Sequence, residues 1–384
     1  MRSTILKVIN ITMEGRYGGP HAFIATCADK LKNFSIETIV VFPDMDSDIF
    51  LRKLSAMDVV SKRLRLHRLT KEKKHLIKYA LLFIPEVISL YRLYKKECID
   101  IVHCNNSWQF KGVIAGRLAR KKTVWHLHET STPFFINIIF KLLAKNFADA
   151  FITAGKKARK YYLSGQRLSS KPILEIQAPV DTLIFDPDKG EKDRKIAKYP
   201  GLKIVTVGNV NPLKGIEYFV EMSSILNRSY NYLSFFVIGP HFPSQKAYSE
   251  KIMRMAQKFN LNNLYFYGPS ENIPSVLKAA DIYICSSIAE ASPISVWEAM
   301  SMGKAIVSTD VGDVAKFIKD GENGFIVPIK DAAALVQKAA WLIDNSDSRK
   351  KIGINARKTA IQKLDVDICV KKHAEFYRTI AGGL

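Results

Sequence analysis

The chain has 384 residues, 47% of them hydrophobic and 24% charged, which is room for two globular domains and excludes a disordered or fibrous protein. Its five cysteines are scattered with no Cys-x-x-Cys pair, which argues against a disulfide framework or a metal site and favours reduced, buried thiols, while no apolar run reaches the ~18–20 residues of a bilayer span. The net charge of +22 is the outlier: residues 1–190 hold 32 Lys and Arg against 17 Asp and Glu, an excess of 15, which calls for an anionic partner such as lipid head groups, nucleic acid, or an anionic saccharide or lipid diphosphate.

The chain enters directly on a strand at 4–11 with no signal peptide ahead of it, and the expected location is the cytoplasm. A glycine-rich loop follows at 14–20, where Gly18 and Gly19 let backbone approach a ligand closely. Residues 21–33 form a helix with Phe23, Ile24, Cys27, Ala28 and Leu31 on one face, and 37–42 a second strand. Residues 61–78 break the rhythm, with eight Lys and Arg against Glu72, and run into the apolar stretch 79–94. Together 61–94 read either as a peripheral contact with anionic membrane or as a solvated basic helix followed by a core helix. Strands at 99–104, 123–128, 150–154 and 173–176 complete this half. Short apolar strands alternating with helices predict a doubly wound parallel sheet, with ligands beyond the strands' carboxyl ends after Ile11, Cys104 and His128. His126 and His128 share a face of one strand. His128, nearer its carboxyl end, is the better site candidate, against a core histidine.

A Pro, Asp and Gly cluster at 177–191 separates the halves. Strands resume at 202–207, 233–238, 263–267, 282–285, 305–308 and 325–327, and helices at 348–363 and 366–380 end the chain. Asn211-Pro212 makes a turn, and Lys214-Gly215 leads into a helix running to Arg228. In 290–313 Glu290 lies in a loop and Pro293 opens a helix whose apolar face is Ile294, Trp297, Ala299, Met300 and Met302. Gly303 closes that helix. A loop opening on a helix amino end favours a phosphate. Loop plus helix would hold Glu290 and Glu298 on the order of 10 Å apart, beyond the ~5–5.5 Å of a retaining hydrolase dyad. Two separate hydroxyl-binding carboxylates fit better, the alternative being a solvated Glu290 and a dipole-favoured Glu298. Asp-x-Asp strings at 44–46, 46–48, 186–188 and 365–367 sit in turns, and no metal site is expected at them. No Gly-x-Gly-x-x-Gly follows a strand, which argues against a dehydrogenase, and no nucleic-acid motif accompanies the charge.

Glu290 to Glu298 with Glu-Ala-Met, then Gly303, an apolar strand and Val311-Gly312, resembles the signature of the family-4 retaining glycosyltransferases. Val207-Gly208-Asn209 with Lys214-Gly215 resembles that family's phosphate turn, and 320–327 its following strand. The resemblance implies the α/β GT-B fold, two Rossmann-like doubly wound parallel-sheet domains facing a central cleft. It would comprise an acceptor-side domain at 1–185, a nucleotide-sugar domain at 186–365 and a final helix, 366–384, crossing back. It implies metal-free, cofactor-free transfer from a nucleotide-diphosphate sugar to a hydroxyl of a glycan or lipid-linked acceptor, in surface polysaccharide or glycoconjugate synthesis. Residue by residue, Lys214 would stabilise the departing diphosphate with Gly18, Gly19 and Asn209. The backbone at Pro293, Ile294 and Ser295 would hold phosphate, and Glu298 the ribose. Glu290 would face the sugar hydroxyls, His128 the anomeric centre, Glu129 the acceptor, and the loop carrying Gly268 and Ile273 the base. Asn209 stands where the family has arginine, Lys316 where it has glutamate, and Asp313 replaces a common glycine. A GT-B scaffold that binds sugar nucleotide or anionic glycan without turnover is the alternative.

Overall fold

Every strand pairs parallel with its neighbours, so each apolar run is covered by helices on both faces. The computed structural model describes residues 5–69, 73–129 and 132–382. It forms two units, one running to Ala178 and taking in Asp367 onward, the other spanning Pro179–Val366. The sequence reading drew its lines at 185 and 365; Pro179–Phe185 instead goes with the second unit, where Val180 bridges Asp365.

In the first unit the strands are β1 (Leu6–Ile11), β2 (Ile36–Pro43), β3 (Ser61–Leu64), β4 (Ile101–Asn105), β5 (Lys122–Leu127), β6 (Ala150–Thr153) and β7 (Ile173–Glu175), in the order β3-β2-β1-β4-β5-β6-β7. Ile24, Ala28, Phe50 and Leu54 pack one face of this sheet, and Leu90, Tyr94, Val113, Phe140 and Ala144 the other. The second unit has β8 (Leu202–Val207), β9 (Leu233–Ile238), β10 (Leu264–Gly268), β11 (Ile282–Cys285), β12 (Ala305–Thr309) and β13 (Phe325–Val327), in the order β10-β9-β8-β11-β12-β13. Each sheet reverses its strand order once, between β1 and β4 and between β8 and β11. A crevice for ligands opens at the carboxyl ends of such a reversal.

Three expectations change. Residues 61–64 form the edge strand β3, which neither reading of 61–94 foresaw. The basic stretch is also less free than its composition suggests. Lys62 pairs with Glu97 at 3.5 Å, Arg63 with Asp48 at 3.0 Å, and Arg68 with Glu14. Thr4, Lys71 and Glu72 lie outside the described residues. Residues 79–94 divide between helices Lys73–Leu81 and Phe83–Lys96. Pro85 sits in the first turn of the latter, where its missing N–H costs nothing. Glu86 faces inward. It accepts from buried Lys111 Nζ at 2.5 Å and from His67 N at 3.1 Å, so one carboxylate neutralises the ammonium and ties down the loop after β3. Thirdly, Gly19 is the first residue of helix Gly19–Leu31 rather than loop.

Of the five free cysteines four are buried and Cys98 is exposed. Three of the Asp-x-Asp aspartates have structural partners in the fold: Asp48 has Arg63, Asp186 has Arg357 at 3.0 Å, and Asp365 accepts from Thr182. Among the described residues no helix is long and apolar enough to cross a membrane.

Candidate active site

The loop leaving β8 is built to present a lysine. Asn211 Oδ1 accepts from the backbone N–H groups of Leu213 and Lys214 at 2.9 and 3.2 Å, capping the single turn Pro212–Lys214. Gly215 follows at φ +57°, and a Cβ there would stand 2.2 Å from the Ser286 carbonyl. Only glycine permits both that conformation and that approach. The β11 loop locks on from the other side: Ile288 N donates to Leu213 O at 2.7 Å and Ser286 Oγ to Lys214 O at 3.1 Å. The Lys214 stem thereby lies over Gly208, whose absent Cβ would be 3.1 Å from it.

Seventy-six residues further along the chain, Glu290 receives this ammonium. Ser287 Oγ donates to the same carboxylate oxygen at 2.9 Å. Burial works to lower the Lys214 pKa, but the charge and hydrogen bond of Glu290, with help from Glu298, outweigh it and raise it. Lys214 is therefore a fixed cation at the carboxyl end of the strand reversal. Half-buried Glu298 lies within the same field: burial pushes its carboxyl up to about 8, with Lys214 pulling the other way. It projects from helix Ile294–Ser301, whose buried Val296, Trp297, Ala299 and Met300 fix the helix against the core. Pro293 is buried at the cap, and Gly312, at φ +54°, passes close enough that its Cβ would be 3.1 Å from Pro293 Cδ. Tyr283 OH donates to Ser295 Oγ at 2.8 Å, and Trp297 Nε1 to Ser292 Oγ at 3.2 Å. The amino end of this helix is thus held beside the Lys214–Glu290 pair.

The remaining second-unit candidates are less engaged. Asn209 is exposed, with its backbone against Gly239. Gly268, at φ +82°, has open space where a Cβ would go and accepts from Gly239 N at 2.8 Å. Ile273 opens the helix Ile273–Ala279 behind it and packs with Tyr267 and Val207. Lys316 is exposed and Asp313 buried.

In the first unit His128 falls one residue past β5, its ring tilted against that of His126 with centroids 3.7 Å apart, so the shared face holds. Its orientation follows from two asparagines. Asn105 Nδ2 donates to Asn10 Oδ1 at 2.6 Å and to Ile11 O at 3.0 Å, which turns Asn105 Oδ1 toward His128 Nε2 at 2.9 Å. His128 must then donate from Nε2, leaving Nδ1 as an acceptor. Burial, reinforced by His373 and His21, lowers its pKa to about 3, so the ring is neutral. His126 is a core residue, bonded through Nδ1 to His103 Nε2 at 3.1 Å. His103 in turn meets Tyr377 OH from the last helix. Glu129 accepts from Ser107 Oγ at 3.1 Å and Trp108 Nε1 at 3.0 Å, and burial raises its pKa.

Gly18 is the residue just ahead of helix Gly19–Leu31. Its φ of −168° is ordinary extended backbone and the space about it is open. The glycine this loop requires is Gly15, where a Cβ would stand 2.3 Å from Met45 O. The sequence reading placed Asn211 in its turn but missed Gly15, Ser287 and the Asn10–Asn105 pair. Gly15 and the Asn10–Asn105 pair have partners too distant in sequence to read, whereas Ser287 lies only three residues from Glu290 with no motif to mark it.

Two family models match this chain, "Glycosyltransferase Family 4" over residues 17–182 and "Glycosyl transferases group 1" over 188–359. An Escherichia coli UDP-Gal:alpha-D-GlcNAc-diphosphoundecaprenol alpha-1,3-galactosyltransferase is 27% identical over 317 residues, 75% of this chain and 81% of that one. A Campylobacter jejuni N,N'-diacetylbacillosaminyl-diphospho-undecaprenol alpha-1,3-N-acetylgalactosaminyltransferase is 24% identical over 250 residues, 64% of each. An Anabaena protein solved in complex with UDP-glucose superposes with a TM-score of 0.80 at 18% identity, covering 97% of this chain and 100% of that one.

Proposed function

The chain belongs to the family-4 glycosyltransferases of the GT-B fold, and from that membership we propose that it is a retaining enzyme moving a sugar from a UDP-sugar to a hydroxyl of a polyprenyl-diphosphate-linked glycan. It would act at the cytoplasmic face in polysaccharide synthesis, with no resident metal.

The observation that carries this reading is the Lys214–Glu290 pair beside the amino end of helix Ile294–Ser301, at the carboxyl ends of β8 and β11. A diphosphate leaves more readily when its developing charge meets a preorganised cation and helix dipole. Lys214 supplies the cation. Glu290 holds it when the donor is absent and, when the donor is bound, accepts from sugar hydroxyls. Glu298 accepts from the ribose. In the reaction the anomeric C–O bond breaks, its electron pair leaving with the nucleoside diphosphate. The acceptor oxygen attacks from the same face, passing its proton to a departing phosphate oxygen. Retention follows from that shared face. Neutral His128, donating from Nε2 to Asn105, offers its Nδ1 to a sugar hydroxyl, and Glu129 takes the acceptor's side.

The test is nucleoside diphosphate release by the full chain from UDP-glucose, UDP-galactose, UDP-GlcNAc and GDP-mannose, with undecaprenyl-diphosphate-linked GlcNAc as acceptor and EDTA present. Transfer from a UDP-sugar to give an α-linkage is expected. A requirement for added metal or an inverted product contradicts the mechanism. Tight UDP binding without turnover on any acceptor favours the non-catalytic scaffold, toward which Asn209 in place of arginine points.

A further inference from the structure

Helix Phe134–Phe147 is apolar on both sides. Inward, Ile136, Phe140 and Ala144 fill the core. Outward, Phe134, Phe135 and Leu142 stand 82%, 62% and 60% exposed, with Ile138 and Ile139 between them. A helix hydrophobic all round is normally covered on both sides, and surface helices of soluble domains carry charge outward. Helix Lys246–Lys258 of the second unit does so, with Lys246, Glu250, Lys251 and Arg254 outward.

The same face of the first unit carries a second such patch. Leu81 and Ile84, 73% and 68% exposed, sit where helix Lys73–Leu81 gives way to Phe83–Lys96. Both patches pack through helix Phe110–Leu118, which lies between them. They also share an end of the sheet. Helix Phe134–Phe147 begins just past the loop leaving β5, and the break at Leu82 lies on the side from which the chain must run back to start β4. Both therefore lie toward the carboxyl edge that carries His128 and Glu129.

Charge identifies the occupant. Residues 73–92 and 132–147 contain a single carboxylate, Glu86, and it is buried against Lys111. Their described cations include exposed Lys78, Arg92 and Lys145 and half-buried Lys141. A second copy docked here would set these cations against one another with no acid to answer them. An anionic bilayer answers both features, taking phenyl and leucyl side chains into its acyl boundary and lysines at its phosphates. We propose that this surface, the helix Phe134–Phe147 with the Leu81–Ile84 turn, docks the first unit on an anionic membrane. The wedge is Phe134 and Phe135, outside the 61–94 segment to which composition pointed. That the membrane also delivers the acceptor rests on the proposed function; the docking itself does not.

The test is flotation of the full chain with vesicles of phosphatidylglycerol in phosphatidylcholine, against phosphatidylcholine alone. Co-flotation with the anionic vesicles is expected, weakening as salt is raised. Phe134→Ser with Phe135→Ser should lower the partition coefficient at least about tenfold. Lys141→Glu with Lys145→Glu should lower it by a similar factor on anionic vesicles only, at ~1 kcal/mol, or about fivefold, per lysine at the surface. Melting temperature and UDP binding are followed in parallel to show that both variants are folded. No flotation overturns the proposal, as does flotation indifferent to Phe134→Ser/Phe135→Ser, or equal binding to both lipids. So does a dimer in sedimentation that the phenylalanine variant dissociates. Vesicle binding without any UDP binding would sink the proposed function and leave the surface standing.

Discussion

Glu298 offers the sharpest quantitative check on the donor site. Burial lifts its carboxyl to about 8 against the pull of Lys214. At pH 7 roughly one molecule in ten then carries the charge, and at pH 8 about half do. A ribose that donates hydrogen bonds to this carboxyl favours the charged form and pulls the pKa down. UDP binding at pH 7 should therefore release about 0.9 proton, and affinity should rise about fivefold from pH 7 to pH 8. Titration calorimetry in buffers of different ionisation heat reads that proton directly. Stability carries the opposite sign. A carboxyl whose folded pKa exceeds its unfolded value stabilises the fold fully below pH ~4.5, and that contribution is lost as pH rises toward 8. By pH 7 the loss is about 1–3 kcal/mol, discounted for the partial exposure of the side chain. Glu298→Gln should recover it, melting higher while binding UDP about 10–100-fold more weakly and releasing no proton. If the Gln variant released the same proton as the parent, or melted lower, Glu298 would not be the ribose carboxyl inferred here.

Two further outcomes follow from the geometry. Lys214→Met should cut turnover ~10²–10³-fold with a smaller change in KM, since the lysine meets charge that develops as the diphosphate leaves, and unfolding at pH 7 should be easier by about 1–3 kcal/mol because Glu290 keeps only Ser287. Turnover within threefold of the parent would remove Lys214 from the mechanism. The first unit should be acid-sensitive through its histidines. Burial lowers His373 to about 4 and His128 to about 3, and holds His103 and His126 well below the usual range. Stability is then complete above pH ~6.5 and falls as pH drops, because the unfolded chain takes protons that the folded one refuses. His128 and His373 together contribute about 2–3 kcal/mol per pH unit between roughly pH 6 and 4, read by urea unfolding at a series of pH values. His373→Phe should flatten that slope by one histidine's share, and an unchanged slope would discount the cluster.

Much of the fold was legible because most parallel strands buried on both faces leave unbroken apolar runs. β8, β9, β11 and β13 match their runs to the residue. β3 was not legible. Its sequence, Ser-Lys-Arg-Leu, is that of an edge strand, where charge guards the open side, and composition registered only a basic stretch. Lys214, Glu290 and Glu298 were legible as residues, through the turn before one and the helix around the others. Their electrostatics were not, because a lysine and a glutamate 76 positions apart meet only when β8 and β11 lie side by side. The outward face of Phe134–Phe147 was hidden for the opposite reason. A helix with large apolar residues on both sides gives little pattern by which to tell its covered side from its open one.

Residues 367–382 complete the first unit although the whole of the second unit precedes them in the chain. Tyr377 closes over His103, and His373 lies against His126, with ring centroids 6.0 Å apart. During synthesis the amino-terminal sheet must therefore wait, with that histidine face unsealed, until nearly 200 further residues have emerged. The second unit is contiguous and can close first. A stop codon or a protease acting near residue 366 would spare the second unit and strip the first of the helix that covers its histidine face.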